Sequence, residues 1–214
     1  MNKLLYILVL VMLFTGCSGR ELDSAAIVTC LEVTADESGY RIQAEIVRLY
    51  DTESEPGQNT EIISASGSDL KQCIDALNEA EVLHIYLGHL RLIIFDKAFL
   101  DGASRSELED IAEFALKDHE IRFNTCIAVS TADPGRAVSG ESASTGNRGI
   151  DLSERIKSLH ARSELCDLIN NIYSEGAPVS MPVITVSQMN GKNITVVKSD
   201  ERYMLDAGAS PYNS

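Results

Sequence analysis

Residues 82–129 read VLHIYLGHLRLIIFDKAFLDGASRSELEDIAEFALKDHEIRFNTCIAV. Two apolar runs, 82–87 and 90–95, flank Gly88-His89, and short β-rich runs punctuated by glycine read as strands. The second run is almost wholly apolar, as expected of a central strand covered on both faces. From Ser104 onward the period changes. Leu108, Ile111, Ala112, Ala115 and Leu116 fall on one helical stripe, and Ser104 or Ser106 with Glu107 or Glu109 spells a capping box. Residues 121–129 return to a strand pattern.

Toward the N-terminus, 25–33 and 40–50 read as a hairpin joined by the turn cluster Asp36-Glu37-Ser38-Gly39. Within it Ile42, Ala44 and Ile46 alternate with Gln43 and Glu45, which predicts a half-buried strand. A polar loop over 51–60 leads to a short third strand at 61–65. A helix follows, with Ser68 as N-cap and Leu70, Cys73, Ile74 and Leu77 on its apolar face. Toward the C-terminus, 133–150 (DPGRAVSGESASTGNRGI) has no periodicity and reads as a flexible linker or long loop. Ile156 and Leu159, then Leu165, Leu168, Ile169 and Ile172, mark two helical segments with Ser153 and Ser163 as candidate caps. Residues 183–187 and 193–197 form a hairpin through Asn190-Gly191, and 202–205 a last short strand.

Irregular alternation with hairpins at both ends predicts an α+β fold: a mixed β-sheet packed with helices, with a second small α+β subdomain. The expected division is a signal peptide at 1–16, an N-terminal α+β domain at 17–132, the linker at 133–150, a small α+β subdomain at 151–207 and a tail at 208–214. Burial in the first unit should fall on Ile27, Leu31, Ile46, Leu77, Ile93, Ile94, Ile111 and Ile127.

The chain's address is at its start. Lys3 precedes an apolar run from Leu4 to Phe14, about eleven residues and roughly 16 Å as a helix, too short for a bilayer core of about 30 Å. Such a run suits a signal-peptide core. It ends in Phe14-Thr15-Gly16-Cys17, the pattern of a bacterial lipobox, although Phe14 stands where Leu is usual. In that reading the Cys17 thiol carries a diacylglycerol, and cleavage leaves it as the first residue. Two acyl chains hold a protein stably at a membrane.

The 214 residues carry 18 Lys+Arg against 32 Asp+Glu, a net charge of −14. That acidity argues against a nucleic-acid lattice and against electrostatic docking on an anionic bilayer. Losing Lys3 makes the mature chain one unit more negative, so it should stand off on its tether or be held by a protein partner. Only one apolar run is long enough to notice, which excludes a polytopic membrane protein.

No chemistry is spelled plainly. Cys30, Cys73, Cys126 and Cys166 form no C-x-x-C and read as small core hydrophobes; export permits a disulfide, such as Cys30–Cys126 between neighbouring strands, and the sequence does not choose among the pairings. His84, His89, His119 and His160 lack the spacing of a helical metal pair, and no metal or cofactor is called for. Gly140, Gly146 and Gly149 do not make a phosphate loop. His89 and Arg91 are the candidate partner surface; otherwise, with Gly88 making a tight bend, they cap and flank the central strand.

Several stretches together resemble the Ger(x)C family of spore germination lipoproteins, the C subunits of germinant receptors. Gly19-Arg20-Glu21-Leu22 and Ala26-Ile27-Val28-Thr29 are similar to the family's opening segments. Gly88-His89-Leu90-Arg91, the apolar run to Phe95, the helix to Leu116 and Lys117-Asp118-His119-Glu120-Ile121-Arg122-Phe123-Asn124 resemble its central strand, helix and turn, with His119 where proline is usual. Met181-Pro182-Val183 and, weakly, 195–205 resemble later strands. The resemblance spans about 14–205, the family's N-terminal region, and leads to the expectation that the usual C-terminal domain is lacking. It implies a non-enzymatic subunit on the outer face of the cell membrane, or in the spore inner membrane, working beside membrane-embedded A and B subunits. Two other classes stay open. A solute-binding lipoprotein needs an apolar pocket between two lobes, and a hydrolase needs a Ser or Cys beside one of the four histidines.

Overall fold

β1 (Ala25–Asp36) and β2 (Gly39–Arg48) pair antiparallel as the expected hairpin, and β3 (Thr60–Gly67) adds antiparallel to the far side of β2. The computed structural model describes residues 25–37, 39–48, 60–81, 84–139, 146–159, 163–174, 178–189 and 191–207. Cys17, most of the 51–60 loop, Gly140, His160, Asn190 and the 208–214 tail lie outside them. After helix α1 (Leu70–Ala80) come β4 (His84–Tyr86), β5 (Leu92–Asp96), α2 (Lys97–Gly102), α3 (Arg105–Lys117) and β6 (Cys126–Ser130). Then follow α4 (Arg136–Ser139), α5 (Arg148–Ser158), α6 (Leu165–Tyr173), β7 (Val179–Met189) and β8 (Lys192–Leu205).

The sheet runs β3-β2-β1-β5-β6-β7-β8, with β4 paired beside β1. β1, β5, β6 and β7 run parallel to one another, while β2, β3 and β8 join antiparallel at the two ends. This is the mixed sheet of an α+β fold. It continues from the 17–132 stretch into the 151–207 stretch, because β7 pairs with β6.

Every residue of β5 is buried, as its unbroken apolar run requires. One face of the sheet packs Leu31, Ile93, Phe95 and Ile127 against Leu77 of α1, Ile111 of α3 and Leu168 of α6. The other face sets Cys30, Leu92, Ile94, Cys126 and Ala128 against Ala137 and Val138 of α4 and Leu152 and Ile156 of α5.

Local departures from expectation have identifiable causes. Ile27 is only half-buried, because a bulge between Val28 and Cys30 shifts the strand's alternation: Val28 and Leu31 face one core, Cys30 the other. Asp69, not Ser68, caps α1 by accepting the Gln72 N–H at 2.8 Å. Leu116 is 46% exposed at the end of the α3 stripe. β6 begins only at Cys126, with turns before it. The strand expected at 202–205 is the end of β8. Ser153 lies inside α5, where Asn147 is the N-cap, and the hydroxyl of buried Ser163 donates to the Ser180 carbonyl rather than capping α6.

The expected irregular stretch at 133–150 holds α4 and the first turn of α5, both packed on the sheet. Cys30, Cys73, Cys126 and Cys166 are free thiols. Cys30 and Cys126 both align with Leu92 of the intervening β5, which sets them two strand spacings apart, roughly 9–10 Å. A disulfide needs Cα atoms within about 7 Å.

Candidate partner-binding site

Leu87-Gly88-His89-Leu90 is a closed turn, with the Leu90 N–H donating to the Leu87 carbonyl at 3.0 Å. The turn delivers the chain into β5. Arg91 N–H donates to the Thr29 carbonyl at 2.9 Å, and the Arg91 carbonyl accepts from Cys126 N–H at 3.1 Å. The backbone of Arg91 therefore belongs to the sheet ladder while its side chain is exposed. Leu87 N–H donates to the Glu120 carboxylate at 3.0 Å, and His84 Nε2 stands 3.7 Å from the same carboxylate. His89 is exposed and meets the Tyr86 ring edge-on at 5.8 Å.

A second turn, 122–125, closes through Thr125 N–H donating to the Arg122 carbonyl at 3.0 Å. It is tied to α6 by Cys166 N–H donating to the Phe123 carbonyl and Leu165 N–H to the Thr125 carbonyl, both at 2.9 Å. Together the two turns and α5 enclose a small cavity of about 100 Å³ lined by His89, Arg91, Arg122, Asn124, Ser153 and Lys157. His89 and Arg91 both line this cavity. Arg122 and Lys157, from distant parts of the sequence, complete a cationic site. Phe123, 48% exposed, is held between Arg122 and Asn124. The backbone of Arg91 flanks the central strand as one reading had it, and its exposed guanidinium leaves the partner-surface reading as a proposal.

A larger groove of about 500 Å³ runs between α1 and α3, floored by Leu70 and Phe114 and edged by Asp69, Lys71, Asp110, Glu113, Lys117 and Asp118. It lies wholly within the 17–132 stretch and is rimmed by charge, unlike the apolar inter-lobe cleft that a solute-binding protein needs. Among the described residues, no group of three or more His, Cys, Asp or Glu is placed to hold a metal ion. No helix among them is long and apolar enough to cross a membrane.

Two strand carboxylates are fully buried, among them Glu45, which the alternation set opposite Ile42, Ala44 and Ile46. Glu45 accepts from Thr29 Oγ1, Gly149 N–H and Arg148 N–H, each at 2.8 Å, and from Arg148 Nη1 at 3.3 Å. Glu32 accepts from Gly135 N–H at 2.9 Å and Val138 N–H at 3.1 Å. Burial pushes the Glu32 carboxyl up to about 7, against the pull of the Val138 and Gly135 N–H groups. Cys30 between them is held well above the usual thiol range by burial and by both carboxylates, which leaves it a neutral core thiol. These carboxylates bind orphan N–H groups at the starts of α4 and α5 and pin residues 135–138 and 148–149 to the sheet. Their chemistry is structural. Nothing local in the strand marks them, because the segment that covers them lies about 100 residues away.

Residues 18–186 match the family described as Spore germination protein N-terminal domain. No curated protein and no solved structure matches the chain. The match takes in the turn, the central strand, α3 and the cationic cavity, the same stretches that carry the likeness to the Ger(x)C group. With well over half of its length matched, the chain belongs to the family of spore germination proteins defined by this N-terminal domain.

Proposed function

We propose that the chain is a non-enzymatic, lipid-anchored subunit of a spore germinant receptor, tethered through Cys17 and acting by contact with the membrane-embedded A and B subunits. The family match supports the receptor role. The lipobox at 14–17 supports the tether. The observation that carries the contact surface is the convergence of His89, Arg91 and Arg122 beside exposed Phe123, on a body that is otherwise strongly acidic. Arginine and aromatic residues are the side chains that anchor protein interfaces, and both are presented here by backbone already fixed in hydrogen bonds.

The test has two parts. Cys17→Ala should move the chain from the membrane to the soluble fraction of sporulating cells; unchanged fractionation would remove the anchor. The A and B subunits should co-purify with the wild-type chain and be lost from an Arg91→Glu/Arg122→Glu variant. Equal recovery from both would remove the surface.

A further inference from the structure

Among the described residues, most Lys and Arg side chains are already neutralised. Lys71, Lys97, Arg105, Lys117, Arg148 and Lys198 each sit against a carboxylate. Arg91 and Arg122 have no such ion pair among the described residues, although acids outnumber bases 32 to 18 in the sequence. Both line the small cavity. Lys157 joins them with its ammonium 2.6 Å from Glu154, so two guanidinium groups carry the uncompensated charge.

We propose that this cavity is a carboxylate receptor, seating an aspartate or glutamate side chain of the protein partner, with Phe123 packing on an apolar neighbour of that side chain. The proposal rests on the partner-surface reading above and names what the surface recognises. Two observations, the cavity's size and the apolar neighbour, favour a protein carboxylate over a lipid headgroup or free phosphate. The cavity, about 100 Å³, admits a side-chain terminus and little more. Planar guanidinium forks match a carboxylate bidentately, as they also match a phosphate, so the separate arms of the test distinguish the two. Phe123, exposed and next to Arg122 in the chain, offers apolar contact near the charge, as a peptide site does. The acidic remainder of the chain repels an anionic bilayer, whereas a single side chain entering the cavity meets the local cations within a Debye length of about 8–10 Å.

The test titrates the full chain with a short acetylated glutamate peptide, inorganic phosphate and phosphatidylglycerol vesicles in separate arms. Nitrogen-15 shifts of the arginine Nε–H groups report contact, and calorimetry reports affinity. The peptide should move Arg91 and Arg122 but not Arg41. Its affinity should fall about tenfold in Arg91→Ala/Arg122→Ala, remain unchanged in Arg41→Ala, and weaken with added salt. Phosphate and vesicles should leave both resonances in place at matched concentration. Failure of the peptide to shift them, equal loss in Arg41→Ala, or tighter binding of phosphate or vesicles would overturn the proposal. If the peptide fails while Arg91→Glu/Arg122→Glu still loses the A and B subunits, only the carboxylate is wrong. If those subunits are retained, the partner surface itself is wrong.

Discussion

Glu32 sits in the core with its two oxygens on the N–H groups of Gly135 and Val138, and burial still lifts it to about 7 from an ordinary 4.5. Nearby Asp96 adds to the lift. A carboxyl raised in the folded state binds its proton more tightly there than in the unfolded chain. Its contribution to stability is therefore fully present below about pH 4.5 and is lost as pH rises toward 7. The difference is of order 3 kcal/mol, which for a chain of this size moves the melting temperature by roughly 6–12 °C. Thermal unfolding followed between pH 4.5 and 8 should show that decline in the wild type, and Glu32→Gln should flatten it. A Glu32→Gln profile parallel to the wild type would mean that Glu32 titrates normally. Glu45 differs in having four donors, one of them the Arg148 guanidinium, and it acts as a counter-charge to the start of α5.

At the scale of elements, α5 docks on β1 through Gly149. A Cβ there would stand 2.2 Å from the Thr29 carbonyl oxygen, a backbone atom that cannot move aside. Gly149→Ala should push the first turn of α5 off the sheet, stretch the Glu45 bonds and cost about 3 kcal/mol. A denaturant midpoint within experimental error of the wild type would contradict this docking. The elements legible in the sequence were those whose pattern is local. The β5 run, the Leu108–Ala115 stripe with its Ser104/Glu107 capping box, and both hairpins announce themselves through period and turn chemistry. The bulge opposite Glu45 has no local signature, and it displaced Ile27 from the face it shares with Leu31 in a regular strand. α2 was missed because its six residues start directly from the strand end, capped by Asp96 accepting the Phe99 N–H at 3.0 Å. The 133–150 stretch has a linker's composition, yet its described parts, 133–139 and 146–150, lie close on buried Glu32 and Glu45. Half of the candidate site was legible, too. Gly88-His89-Leu90-Arg91 shows a turn bearing cations, but Arg122 and Lys157 reach it only through strand order and the placement of α5.

On the scale of the molecule, one sheet spans residues 25–205, and its long edge strand β8 carries Lys192, Lys198, Asp200, Glu201 and Arg202. Charges of this kind keep an edge from pairing with another chain. The opposite edge, β3, carries Glu61 in an ion pair with Arg48. The cationic cavity instead opens where β5 and β6 begin, beside the turns at 87–90 and 122–125. Under the proposed receptor-subunit reading, this is the face that would meet the A and B subunits. Site-specific cross-linking tests that most directly. A photo-reactive phenylalanine analogue is placed at Phe123 in one chain and at Met204, exposed on β8, in another. Irradiated spore membranes should yield an adduct with the A or B subunit from position 123 and none from 204; equal adducts from both, or adducts from 204 alone, would contradict the account.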